Sequence, residues 1–209
     1  MSVSLQKGQR VSLVKDNNPV KNLVVGLGWD MNKLGKKNYD LDAFAIALTN
    51  QDKMNVRGDL VYFGNLKHPS KAIIHTGDNL TGKGEGDDEQ IIVNLEDIPE
   101  YVHKIVFGVS IYKAKKRDQD FGQMNNSFIR LIDSNSKQEL FKYNLQEDFS
   151  GKVTVLAGEI YRRNEEWKFN ALGIGQNEEL RELINTYTVS YTTLTLPTTH
   201  LVYDTGLGV

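Results

Sequence analysis

Five carboxylates, one amide and four glycines fall within thirteen residues of this chain, Gly77-Asp78-Asn79-Leu80-Thr81-Gly82-Lys83-Gly84-Glu85-Gly86-Asp87-Asp88-Glu89, and Lys83 is the one basic side chain among them. Carboxylates a few ångströms apart repel by roughly 1 kcal/mol per pair even in water, and by more where water is excluded. A compact loop of this composition needs a cation, or it must splay into solvent. Glycine favours the first outcome, because it lets backbone carbonyls turn inward beside the side chains. An all-oxygen environment suits a hard divalent ion, and calcium takes six to eight such ligands. Magnesium fits less well, since it wants strict octahedral geometry and keeps several waters.

A second acidic group lies upstream in Gly26-Leu27-Gly28-Trp29-Asp30 and Tyr39-Asp40-Leu41-Asp42-Ala43-Phe44. On a strand Asp40 and Asp42 share one face with Phe44, Ile46 and Leu48, while Leu41 and Ala43 take the other. Carboxylates at the rim of an apolar face need a partner, and Lys36 and Lys37 are the local candidates. Taken alone, Asp40 and Asp42 also read as a solvated turn. Together with the glycine-rich loop they point to one shared site for one or two calcium ions. Its expected side-chain ligands are Asp30, Asp40, Asp42, Asp78, Asp87, Asp88 and Glu89, with Asn79 and glycine carbonyls completing the shell.

The elements that must hold these groups are strands. Short runs rich in β-branched and aromatic residues, bounded by Gly, Asn, Asp or Pro, recur along most of the chain. They are expected at 11–14, 23–27, 41–48, 60–63, 72–75, 91–95, 105–112, 128–132, 140–145, 153–161 and 167–172. Many short strands joined by short turns predict an all-β fold, a β-sandwich of two mainly antiparallel sheets with a few short helices. Asn177–Tyr187 has the one clear helical spacing, with Leu180, Leu183, Ile184 and Tyr187 on one face and Asn177 as a candidate N-cap.

Composition narrows the chemistry further. At 209 residues and 39% hydrophobic the chain can bury a core in one domain, and its net charge of −2 gives no field for nucleic acid. There is no cysteine, which excludes disulfides, thiolate metal sites and a cysteine nucleophile. It also leaves no thiol to reduce or trap an oxyanion. No secretory signal or membrane-length apolar run is present, so the expected location is cytoplasmic. From Thr188 the chain becomes threonine-rich and nearly free of charge. Residues 188–209 read either as a terminal strand or as an extension foreign to the domain, non-native or disordered; the extension is favoured.

Other motifs weigh less. Gly82-x-Gly84-x-Gly86 runs into three acids that would repel a phosphate, so no nucleotide is expected there. Neither acidic cluster has the spacing of an EF-hand. His68, His75, His103 and His200 lack metal-ligand spacing; His75 could orient a carboxylate beside the loop, but a plain structural role is favoured. Lys113, Lys115, Lys116 and Arg117 read as a solvated loop, with an anionic protein or membrane surface as the alternative reading. A glycosidase needs only two carboxylates across a sugar cleft, so five acids in one loop fit metal binding better.

Gly26-Leu27-Gly28-Trp29-Asp30, Asp40-Leu41-Asp42-Ala43, His75-Thr76-Gly77-Asp78-Asn79-Leu80-Thr81-Gly82 and Gly86-Asp87-Asp88-Glu89 together resemble the TerD family, tellurium-resistance and general stress proteins of bacteria. Ser127-Phe128-Ile129-Arg130, Gly158-Glu159-Ile160-Tyr161-Arg162 and Glu166-Trp167-Lys168-Phe169 extend the likeness, which spans about residues 1–187. The resemblance implies a calcium-binding β-sandwich with a role in stress tolerance and no enzymatic activity. It carries the ligand role to Asp30, Asp40, Asp42, Asp78, Asp87, Asp88 and Glu89. Expected partners are proteins of a stress-response complex, a membrane-associated one included, with no nucleic acid. Two alternatives stay open: a metal-dependent hydrolase built on the same acids, and calcium as a purely structural staple.

Overall fold

The computed structural model describes residues 2–15, 17–31, 39–77, 86–145, 147–164 and 166–188. Along the chain run β1 (Val3–Leu5), β2 (Arg10–Ser12), β3 (Val14–Lys15), β4 (Asn18–Pro19), β5 (Asn22–Met31), β6 (Leu41–Leu48), β7 (Leu60–Val61), β8 (Ile73–His75) and β9 (Glu89–Asn94). β10 (Lys104–Ile111), α1 (Ala114–Arg117), β11 (Met124–Asp133), β12 (Glu139–Asn144), β13 (Thr154–Arg163), β14 (Glu166–Gln176) and α2 (Leu180–Tyr187) follow.

The strands form two six-stranded sheets, in the orders β1-β12-β11-β5-β9-β8 and β2-β14-β13-β10-β6-β7, with β3-β4 as a small separate ribbon. Nearly every pairing is antiparallel; β1 runs parallel to β12. The expected two-sheet β architecture is therefore present. Alternation along the strands builds the core between the sheets. Leu23, Val25, Leu27 and Trp29 of β5 and Ile91 and Val93 of β9 face Ala43, Ala45 and Ala47 of β6 and Ile105, Phe107 and Val109 of β10. Each such large apolar side chain contributes roughly 1.5–3 kcal/mol by leaving water.

β6 departs from simple alternation because it is buried on both faces. Its outward residues Phe44, Ile46 and Leu48 pack with Val106, Leu156 and Leu183 under α2. The helix lays Leu180, Leu183, Ile184 and Tyr187 on the sheet, as their spacing predicts. It begins at Leu180, three residues later than the sequence suggests. Asn177 does not cap it: its Oδ1 accepts a hydrogen bond from Lys152 Nζ at 2.9 Å, and β14 runs on to Gln176. Among the described residues no helix is long and apolar enough to cross a membrane.

Candidate metal centre

The acid-rich segment is the connection between β8 and β9. Its two ends lie side by side, tied by the Thr76 N–H donating to the Gln90 carbonyl at 3.0 Å. The end entering β9 lies on β5. Because Leu27 and Trp29 point into the core, Gly26 and Gly28 present bare backbone on the outer face, and Gly86–Asp88 occupies that space. A Cβ on Gly26 would stand 2.2 Å from Asp87 Cγ, and one on Gly28 would stand 2.4 Å from Phe128 Cζ and 3.0 Å from the Gly86 carbonyl oxygen. A glycine inside a strand often marks such a close approach of another segment.

The Asp87 side chain is fully enclosed there. Arg130 and Gln90 flank Gly26 in register on β11 and β9. Arg130 Nε donates to Asp87 Oδ1 at 2.6 Å and Gln90 Nε2 to Oδ2 at 2.9 Å. The guanidinium continues to Glu139 through Nη1 at 3.1 Å, and Ser2 Oγ donates to the other Glu139 oxygen at 2.6 Å. Charge-assisted bonds of this kind are the stronger class. Asp87 therefore anchors the end of the loop.

Asp88 prolongs the β5–β9 pairing. Its N–H donates to the Leu27 carbonyl at 2.9 Å, and its Oδ2 accepts from the Trp29 N–H at 2.8 Å. Glu89 turns the other way, into the space between the sheets, where Oε2 accepts the Ala43 N–H of β6 at 2.5 Å. That bond ties the two sheets together. His75 Nε2 approaches the same oxygen at 3.3 Å, without hydrogen-bond alignment, and both side chains are fully buried. The Gly77 N–H donates to His75 Nδ1 at 3.1 Å, which leaves Nε2 as the protonated nitrogen of a neutral ring. His75 thus neighbours a carboxylate, that of Glu89.

The upstream acids separate. The Asp40 carbonyl accepts from Tyr112 N–H at 2.7 Å, and its carboxylate lies 3.6 Å from Arg117 Nη1. That cation comes from the basic run after β10, which sequence reading assigned to a solvated loop. Instead it forms α1, and Lys115 reaches Glu182 of α2. Asp42 is buried on the outer face of the second sheet, in register with Ser110. It lines a cleft of about 530 Å³ with Tyr62, Tyr112 and Leu180. Its neighbour Ala43, by contrast, meets Glu89 on the inner face. Asp30 lies in β5, its backbone in register with Asn125, and its side chain is outside the described residues, as are Asp78, Asn79, Lys36 and Lys37.

Asp87, Glu89 and Asp42 therefore sit at three levels: Asp87 outside the first sheet, Glu89 between the sheets and Asp42 outside the second. Among the described residues no three His, Asp or Glu form a group that could hold a metal. Asp87 and Glu89, committed to Arg130, Gln90 and Ala43, fit anchors better than ligands. Asp88 stands beside the Trp29 backbone, one residue before Asp30 on β5. Sequence reading missed Arg130 and Gln90 as partners of Asp87; the glycine at 26 was the available signal.

Known proteins place this arrangement in a family. The chain is 44% identical over 199 residues to the protein named Stress response protein SCP2 of Bacillus subtilis (strain 168), with 90% of this chain and 100% of that one covered. It is 45% identical over 175 residues to Tellurium resistance protein TerD of Serratia marcescens, covering 84% and 91% respectively. The crystal structure of SCO6318 from Streptomyces coelicolor A3(2), described as a homologue of telluride resistance protein (TerD), shares the fold. It matches with a TM-score of 0.65 at 18% identity, over 79% of this chain and 95% of that one. Because the TerD domain model matches residues 1–187 and these relatives align over most of their length, the chain belongs to the TerD family of tellurium-resistance and stress-response proteins.

Proposed function

We propose that this chain is a non-enzymatic calcium-binding stress-response protein of the cytoplasm, and that ion binding in the β8–β9 connection prepares a surface for a protein partner. The observation that carries the reading is Asp88 on the Trp29 N–H. It brings the end of a loop with five carboxylates and one lysine to the strand end that bears Asp30. Asp30, Asp78, Asn79 and Asp88 are the residues we assign to the ion, with Asp87 and Glu89 fixing the loop's exit. Calcium would supply the positive charge that the loop's own side chains do not balance. The names of the relatives support the stress-response setting, and the lack of cysteine makes any tellurium phenotype an indirect one.

The chain's own residues fix where the acid-rich segment begins and ends. Both ends of the loop are tied, at Thr76–Gln90 and at Asp87–Arg130. Pre-tied ends lower the entropic cost of closing a loop. Calorimetric titration with calcium and magnesium tests the proposal on the parent chain and on Asp88→Asn. The variant keeps an acceptor for Trp29 while losing the charge. Calcium heat, weaker magnesium heat and a loss of about tenfold or more in the variant are expected. Calcium at a hundredfold over its Kd should stabilise the fold by about 2.7 kcal/mol. No calcium heat together with no change in melting temperature would overturn the reading.

A further inference from the structure

A second cleft, of about 230 Å³, opens between the sheets near the same end of the sandwich. Its volume lies just below the roughly 300 Å³ at which sites for drug-sized ligands begin, which suits a small head group. Four aromatic side chains line it: Trp29 of β5, Phe128 of β11, Phe121 and Phe149. Two acids, Glu147 and Asp148, line it as well, and none of the described lining residues is basic. Phe128 already has two cations near its ring, Lys142 Nζ at 4.0 Å and Arg130 Cζ at 5.9 Å from the centroid.

One oxygen of Glu147 is engaged, with Lys7 Nζ 3.9 Å from Oε1. Oε1 also accepts the Tyr143 hydroxyl at 2.7 Å, whereas Oε2 is buried without a hydrogen-bond partner. The pair is seated against Gly173, where a Cβ would stand 2.2 Å from Tyr143 Oη. Asp148 takes hydrogen bonds from the Ser150 hydroxyl and N–H, which hold its carboxyl below the usual range. A buried carboxylate oxygen without a hydrogen-bond partner is costly as it stands, and the side chain that bears it lines this cleft.

Three kinds of ligand leave that cost in place. An apolar neutral molecule fills the cleft but gives Oε2 nothing. An anion is repelled by both acids. A bare calcium ion wants six to eight oxygen ligands, and apart from Ser127, Glu147 and Asp148 the lining side chains carry no oxygen. A cation with an apolar skin satisfies both components, because alkyl groups attached to a charged nitrogen pack on aromatic faces while the charge is drawn to their π-systems.

We propose that this cleft binds an N-methylated ammonium head group, with the cation against the Trp29, Phe121 and Phe149 rings and its remaining N–H donating to Glu147 Oε2. The head group could belong to a small free amine or to a methylated lysine of another protein. Calorimetry on the full chain separates these cases with protonated dimethylaminoethanol, its uncharged isostere 3-methylbutan-1-ol and a peptide carrying dimethyllysine. The amine should bind at least about tenfold more tightly than the alcohol, and should shift the indole N–H resonance of Trp29, assigned with Trp167→Phe. Glu147→Gln should lower amine affinity about tenfold while leaving the alcohol unchanged. Tighter binding of the peptide than of the free amine supports a protein source, and the reverse a small molecule. Equal binding of amine and alcohol, no binding of any of the three at millimolar concentration, or an unaffected Glu147→Gln variant would each overturn the proposal.

Discussion

Asp87 and Asp59 are both carboxylates enclosed by the fold, and the chain balances them by different means. Asp87 has a guanidinium. Asp59, fully buried, has neutral donors: Tyr101 Oη at 2.7 Å, the Asn55 and Val56 N–H groups at 2.6 and 2.9 Å, and His68 Nε2 at 3.0 Å. The Ser70 N–H donates to His68 Nδ1, which leaves the ring's proton on Nε2 facing Asp59. Burial pushes the Asp59 carboxyl up, but the bonds from His68, Val56, Tyr101 and Asn55 together hold it below its ordinary 3.8. A native carboxyl that titrates below its unfolded value stabilises the fold fully above that value, and loses the contribution as pH falls through the native one. Asp59→Asn should therefore melt earlier at neutral pH, by about 1–3 kcal/mol for mispaired buried donors. It should also show a shallower loss of melting temperature than the parent between about pH 5 and pH 3. Parallel acid limbs for the two proteins would remove Asp59 from the acid response.

At the scale of elements, β5 is where core and site are built from one alternating pattern. Its inward residues make the sandwich, and its outward glycines receive the acidic segment. Gly26→Ala would drive a methyl group into an Asp87 carboxylate that Arg130 and Gln90 hold on both sides. Overpacking of this kind typically costs about 1–3 kcal/mol. Denaturant unfolding should register that loss, and the calcium titration should weaken with it. A variant as stable as its parent would mean that Gly86–Asp88 is not seated on β5. The alternation that builds β5 is also why most strands were legible. The expected 41–48 coincides with β6, and 105–112 is offset by one residue from β10. β1 escaped because it is three residues long and pairs with β12 from the far end of the sequence. The site was legible as charge and not as pairing. Counting acids locates the loop, but nothing local to Asp87 announces an arginine on another strand, and the faces of β6 separate Asp42 from Glu89.

For the whole molecule, the end of the domain matters most. The last turn of α2 is fastened to the segment after β6: Met54 N–H donates to the Tyr187 carbonyl at 2.7 Å, and Lys53 Nζ to the Thr186 carbonyl at 2.6 Å. The TerD match also stops at residue 187. A chain ending at Tyr187 should keep these contacts and melt within about a degree of the full-length protein, since each kcal/mol lost is worth about 2–4 °C at this size. A drop of several degrees would make residues 188–209 part of the fold. Trp29 carries a different consequence. Its backbone N–H is held by Asp88, at the exit of the acidic loop, while its side chain lines the aromatic cleft. One residue thus has a share in both proposed sites. If calcium changes the cleft's affinity for an alkylammonium ion by some factor, thermodynamic reciprocity requires that ion to change calcium affinity by the same factor. A stress signal carried by either ligand would then be readable at the other.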